Sequence, residues 1–204
     1  MIIKVCGMRE PENIRAVEAL GIDLMGFIFW PPSSRYVGEK PSYLPENCRR
    51  TGVFVDAALE DMLAAALDFR LDVLQLHGYE TPEAIAALKE RLPTVRVVKS
   101  LAVKGSEDLA QTAAYEGVCD AFLFDTKGKL PGGNGQQFDW SVLRQYTGRI
   151  PFLLSGGIGP GDEARIRAFD VPGCIGIDLN SRFETAPGRK DVEALRTFIE
   201  TIRS

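Results

Sequence analysis

Apolar residues in this chain gather into eight short runs, separated by stretches in which they recur every three or four positions. The runs are Ile2–Cys6, Leu24–Trp30, Gly52–Val55, Leu71–Leu76, Val95–Leu101, Ala121–Phe124, Pro151–Leu154 and Cys174–Leu179. Near-continuous apolarity of this length suits strands covered on both faces, as in a parallel sheet. Between them, Leu59, Met62, Leu63, Ala66 and Leu67 share one helical face, as do Ile85, Leu88 and Leu92. Thr81-Pro82 offers an N-cap followed by proline at the first helical position. Val192, Leu195, Ile199 and Ile202 form the stripe of a closing helix. The recurrence predicts an α/β protein, a small (β/α)8 TIM barrel occupying residues 1–204 as one catalytic domain. A doubly wound open sheet is the runner-up; it usually has fewer strands, and no GxGxxG follows the first run. The weakest unit lies between Trp30 and Gly52, where Pro31, Pro32, Pro41 and Pro45 leave little room for helix.

Composition narrows the partners. The formal net charge of −4, without any run of Lys or Arg, argues against nucleic acid or an anionic membrane as partner. No segment approaches the roughly 18 apolar residues of a membrane span. Lys4 interrupts the first apolar run and no long apolar region follows, so a signal peptide is not expected. Cys6, Cys48, Cys119 and Cys174 are scattered without CxxC spacing and His77 is the single histidine, a pattern that fits neither a zinc cage nor a disulfide framework. The expectation is a cytoplasmic protein with free thiols, monomer or homodimer, acting on a small molecule.

In a barrel, the loops after each strand converge on one face, so strand ends are where chemistry is sought. Cys6 ends the first run, with Gly7 behind it to turn the chain. It is either a small core hydrophobe or a base, and as a base it needs something to lower its thiol from about 8.5. Lys4 lies two residues back and is not assigned to that task, so the source of thiolate stabilisation is open. Asp125 ends the sixth run, either as a cap or ion-pair member or as an acid, since partial burial favours a neutral carboxyl. Ser155-Gly156-Gly157-Ile158-Gly159 follows the seventh run and leads into a helical stretch over 161–169, while Asn180-Ser181 follows the eighth. Glycine amides, a helix N-terminus and short polar groups there predict a phosphate site. Arg35, after Pro31-Pro32-Ser33-Ser34, is a surface arginine or a planar fork for a carboxylate. His77 is expected to organise or line its loop, and Asp56 to cap the helix beginning near Ala58.

The ordered set KVCGM, GFIFWPPSSRYV, GVFVD, LQLHGYE, FDTKGKLPGGNGQQFDW, LLSGGIGP and GIDLNSRFETAPGRKD resembles the phosphoribosylanthranilate isomerases of tryptophan biosynthesis, from Lys4 to Asp191. The resemblance implies a small barrel that needs no metal or organic cofactor. It implies an Amadori rearrangement of N-(5-phosphoribosyl)anthranilate, with Cys6 as base and Asp125 as acid. It places Arg35 at the substrate carboxylate, with Gln75 and Asp178 also binding substrate, and puts the phosphate on Gly156, Gly157, Asn180 and Ser181.

Three positions depart from the family pattern. Asn134 stands where threonine is usual, Asn180 where serine is, and Arg182 where glycine is. If that glycine's backbone had positive φ, arginine would be strained there; otherwise its side chain adds a cation near the phosphate. Two rival functions stand beside the isomerase. One is the aminoaldose isomerase of histidine biosynthesis, which uses aspartate where Cys6 stands. The other is a non-catalytic phosphosugar-binding barrel, in which Cys6 and Asp125 would be idle.

Overall fold

The computed structural model describes residues 1–126 and 138–204. Eight parallel strands close in sequence order into a barrel: β1 Ile2–Val5, β2 Leu24–Ile28, β3 Arg49–Phe54, β4 Val73–Leu76, β5 Arg96–Val103, β6 Ala121–Thr126, β7 Phe152–Leu154 and β8 Cys174–Leu179. The ring is sealed where β1 meets β8, with Lys4 opposite Asp178. Each predicted run supplies one strand, because apolar side chains are needed on both of its faces. The period of two divides them. Leu24, Val73, Val98, Ala121, Leu123 and Leu153, with Ile2 against them, form a separate apolar cluster inside the barrel. Their neighbours Met25, Leu74, Val97, Phe122, Phe124 and Leu154 belong to the larger core outside it. Further along the inward faces the character changes to Lys4, Thr51, Gln75, Ser100, Ser155 and Asp178, all buried.

The outer layer is less regular than eight helices. Among the described residues the α-helices are α1 Pro11–Glu18, α2 Leu59–Phe69, α3 Pro82–Arg91, α4 Glu163–Arg167 and α5 Val192–Arg203. Thr81 caps α3 as expected, accepting from Ala84 N at 3.3 Å, with Pro82 opening the helix. Asp191 caps α5, whose buried stripe is Leu195, Phe198, Ile199 and Ile202. No helix follows β2, in keeping with its prolines. The connections after β5 and β6 use 3₁₀ segments, Ser106–Tyr115 and Trp140–Gln145, where two helices were expected. The helix expected over 161–169 shrinks to α4, because Gly161 sits at φ +96° and cannot be helical. A two-stranded hairpin, β9 Glu184–Ala186 and β10 Arg189–Lys190, lies between β8 and α5. Among the described residues no helix is long and apolar enough to cross a membrane.

Asp56 does not cap α2. The N-cap is Ala58, without a side-chain bond, while Asp56 sits at φ +48°. Its Oδ1 accepts from Tyr79 N at 2.6 Å and its own N–H donates to Glu80 at 3.0 Å, tying two adjacent loops together.

Candidate active site

Cys6 leaves the end of β1 with its N–H donated to Leu179 O at 2.9 Å, so β8 fixes its backbone. Its sulfur lies over Gly26 of β2: a Cβ built there would be 2.7 Å from Sγ. The glycine inside an otherwise bulky strand is therefore the seat of the thiol, and it was the one sequence signal for that close approach. Cys6 is only 3% exposed, and burial pushes its thiol above the ordinary 9.0. The positive charge of Lys4 opposes that rise most, followed, after the contrary pull of Asp178, by Lys190.

Lys4 is the nearest cation to the Cys6 thiol and the largest influence against its rise. It is 1% exposed and faces inward two places before Cys6, its ammonium 2.7 Å from Asp178 Oδ1. Burial favours its neutral form, but attraction to the Asp178 carboxylate, with smaller help from Cys6, outweighs that and holds it above 10.5. Asp178 accepts in turn from Ser155 Oγ at 3.2 Å. The strand pairing Lys4↔Asp178 brings these groups together from opposite ends of the chain.

Asp125 is the penultimate residue of β6, three strands from β1 around the ring (β6, β7, β8, β1). It is 7% exposed, and its Oδ1 accepts from Thr126 N at 2.8 Å. Its other oxygen is 3.5 Å from His77 Nε2, so the single histidine, expected to organise or line its loop, also contacts Asp125. Gln75 sits on the inward face of β4, 2% exposed, and its Oε1 has no hydrogen-bond partner among the described residues.

On the glycine-rich side, Gly156 at φ +92° and Gly157 at φ +66° turn the chain after β7. Any Cβ on Gly156 would run into Thr126 Oγ1, so the turn closes directly against the end of β6. The expected helix does not begin at this turn. Helix α4 starts at Glu163, and Gly159 N is spent on Asp162 Oδ2 at 2.9 Å. What the turn offers is loop amides and nearby side chains rather than a helix N-terminus. Asn180 Oδ1 accepts from Lys190 Nζ at 2.7 Å, bringing a second buried ammonium to the end of β8. Ser181 opens the 3₁₀ turn Ser181–Phe183. Arg182 lies within that turn; among the described non-glycine residues only Asp56 and Arg70 have positive φ, so arginine costs no backbone strain. Its side chain packs over Gly159. Asn134 lies outside the described residues.

Arg35 reaches the site from the loop after β2. Ser33 Oγ accepts from Arg35 N at 3.1 Å, and Val37 N returns to Ile28 O at 2.9 Å, so the proline-rich loop folds back on β2. Its side chain crosses Gly7, where a Cβ would meet Arg35 Cδ at 2.8 Å; φ +78° there also requires glycine. The guanidinium is held by Glu184, from Nε at 2.9 and 3.0 Å and from Nη2 at 2.8 Å. Burial opposes a charge on Glu184, but Arg35 and Lys190 outweigh it and hold its carboxyl below 4.5. Neither Glu184 nor Lys190 stood out in the sequence. Among the described residues no group of three His, Cys, Asp or Glu is arranged to hold a metal ion.

The chain therefore has, at one end of a barrel, a thiol beside an ammonium, a carboxyl beside an imidazole, a glycine turn and an arginine fork. Comparison with known proteins identifies the family and the fold. The family model described as N-(5'phosphoribosyl)anthranilate (PRA) isomerase matches residues 3–201. An N-(5'-phosphoribosyl)anthranilate isomerase of Phocaeicola vulgatus is 52% identical, over 100% of this chain and 98% of its own length. The solved phosphoribosyl anthranilate isomerase of Thermotoga maritima superposes with a TM-score of 0.84 at 31% identity, covering 100% of this chain and 99% of that one. A phosphoribosyl anthranilate isomerase solved in complex with reduced 1-(o-carboxyphenylamino)-1-deoxyribulose 5-phosphate superposes with a TM-score of 0.80 at 29% identity, covering 100% and 99%. With nearly its whole length matched, the chain belongs to the N-(5'-phosphoribosyl)anthranilate isomerase family.

Proposed function

We propose that this barrel carries out the isomerisation of N-(5-phosphoribosyl)anthranilate in tryptophan biosynthesis with Cys6 as general base and Asp125 as general acid. The observation that carries the assignment is their contrasting surroundings on one rim: a buried thiol beside the Lys4 ammonium, and a carboxyl beside the His77 imidazole. An acid and a base placed on one rim can act on the same small substrate.

In this reading Asp125, in its acid form, gives a proton to the furanose ring oxygen. The C1–O bond breaks as the nitrogen lone pair forms a C1=N iminium, and the ring opens. The iminium makes the C2 proton acidic, so the Cys6 thiolate, its charge opposed by Lys4, removes it. The electrons left behind form the enolamine. Tautomerisation follows, with O2 giving up a proton and C1 gaining one, to leave 1-(2-carboxyphenylamino)-1-deoxyribulose 5-phosphate. Exchange with solvent returns the proton from Cys6 to Asp125. Gly156, Gly157, Asn180 and Ser181, with Lys190 beside them, would hold the phosphate; Arg35 would meet the anthranilate carboxylate; Gln75 and Asp178 would face the sugar. Residues 1–204 act together as one cytoplasmic catalytic domain.

The test is a continuous fluorescence assay on freshly generated N-(5-phosphoribosyl)anthranilate. Turnover by the wild-type chain with loss of the anthranilate-type signal is the expected result. A folded wild-type chain that leaves the signal unchanged overturns the assignment and directs attention to the histidine-pathway substrate.

A further inference from the structure

Arg35 is expected to hold a carboxylate of the substrate, yet its fork already grips a carboxylate of the protein. Both Nε and Nη2 donate to Glu184, which occupies one edge of the planar guanidinium. The other edge, formed by Nη1 and the second hydrogen of Nη2, has no protein acceptor for Nη1 among the described residues. We propose that Glu184 is a positioning residue that fixes Arg35 by one edge so that the other edge is presented to the substrate's aryl carboxylate. The inference rests on the isomerase reading above.

Three observations favour a fixed support over a competitor that leaves when substrate arrives. Glu184 has other holds: Lys190 Nζ donates to its Oε1 at 2.6 Å and Gly188 N at 3.1 Å. Its side chain is 5% exposed and that of Lys190 is fully covered, so neither swings into water without breaking buried ionic bonds. Lys190 is itself pinned to Asn180 at 2.7 Å. The charges also suit the task. Arg35 and Lys190 carry two positive charges and Glu184 one negative charge, leaving one positive charge for a monoanionic carboxylate. Arg35 comes from the loop after β2 and Glu184 from β9, so the hairpin following the last barrel strand braces an arm from the second βα unit. A long side chain with no such brace would lose much of its binding strength to its own freedom.

The experiment compares N-(5-phosphoribosyl)anthranilate with the corresponding aniline compound, which lacks the carboxylate, both followed by chromatographic product analysis. Wild type, Glu184→Gln, Glu184→Asp, Arg35→Ala and the Glu184→Gln/Arg35→Ala double variant are measured. The expected result is that Glu184→Gln lowers the preference for the carboxylate-bearing substrate about tenfold or more, through KM, with kcat/KM for the aniline compound retained. In the double variant the preference falls no further than in Arg35→Ala alone. Retained activity on the aniline compound reports an intact barrel; should Glu184→Gln fail to fold, Glu184→Asp, which keeps the charge but withdraws the carboxylate, is read for the same loss of preference. An unchanged or increased preference in a folded variant overturns the positioning role and makes Glu184 a bystander or a competitor. Absence of wild-type turnover on the anthranilate compound instead overturns the isomerase reading itself, so the two failures are distinct.

Discussion

Lys4 and Lys99 are both lysines within barrel strands, both 1% exposed, each paired with a carboxylate at 2.7 and 2.9 Å respectively. They do different work because they point to opposite sides of the sheet. Lys99 follows the inward-facing Val98 on β5 and so points out, where it donates to Glu80 Oε2, Gly78 O at 2.6 Å and Leu76 O at 3.4 Å. Three donors meet three acceptors, and the result is a tie between β5 and the loop after β4. Lys4 points in, toward Asp178 and the Cys6 thiol. An ammonium facing outward is consumed by a loop's carbonyls and carboxylate; one facing inward is, in the mechanism proposed above, left to tune the base. The side of the strand decides whether a buried charge is structural or chemical.

The largest effects test the chemistry that Lys4 serves. Cys6→Ala and Asp125→Asn should each lower kcat by about 10²–10⁴-fold with an unchanged circular dichroism spectrum. A rate within a few-fold of wild type removes that residue from the mechanism.

Next comes the outward lysine. Lys99→Met leaves Glu80 buried without its cation and should cost about 3–5 kcal/mol in urea unfolding, with turnover per folded molecule close to wild type. A large loss of turnover at full stability would erase the contrast between the two lysines. Lys4→Met should also destabilise, by stranding Asp178, but its distinctive sign is at Cys6. Without the opposing charge, burial raises the thiol further, so alkylation of Cys6 by iodoacetamide should titrate at higher pH than in wild type. An unmoved titration would detach Lys4 from the thiol.

The smallest effect concerns the thiols as a group. Burial pushes Cys119 to about 11 and Cys48 to about 12, and raises Cys6 and Cys174 above 9.0. A thiol whose folded value is raised stabilises the fold fully below the unfolded value and loses that contribution as pH rises through the folded one. Stability against urea should therefore decline between about pH 9 and pH 12, and less so in Cys48→Ala. A flat profile over that window contradicts the burial argument.

Much of this was legible in the sequence for identifiable reasons. The strands could be read because a doubly covered strand must be apolar throughout, and Cys6 and Asp125 could be placed because they end two such runs. What was hidden depends on parity and on distant partners. Lys4 was set aside because the sequence does not say that β8 lays Asp178 opposite it. Glu184 is 149 positions from Arg35 and meets it only after the ring closes. Asp56 looked like a cap because aspartate before a helix usually is one, but its left-handed backbone and the Tyr79 amide drew its carboxylate elsewhere. The helix after β7 is shorter than the pattern over 161–169 suggests, because Gly161 takes a left-handed backbone.

The most direct measurement is the pH dependence of the single-turnover rate with N-(5-phosphoribosyl)anthranilate, for wild type beside Lys4→Met. Wild type should gain rate with rising pH in step with Cys6 ionisation, and Lys4→Met should follow the same curve displaced to higher pH, approaching wild type only in alkali. Superimposable profiles would contradict the claim that an inward-facing ammonium sets the base.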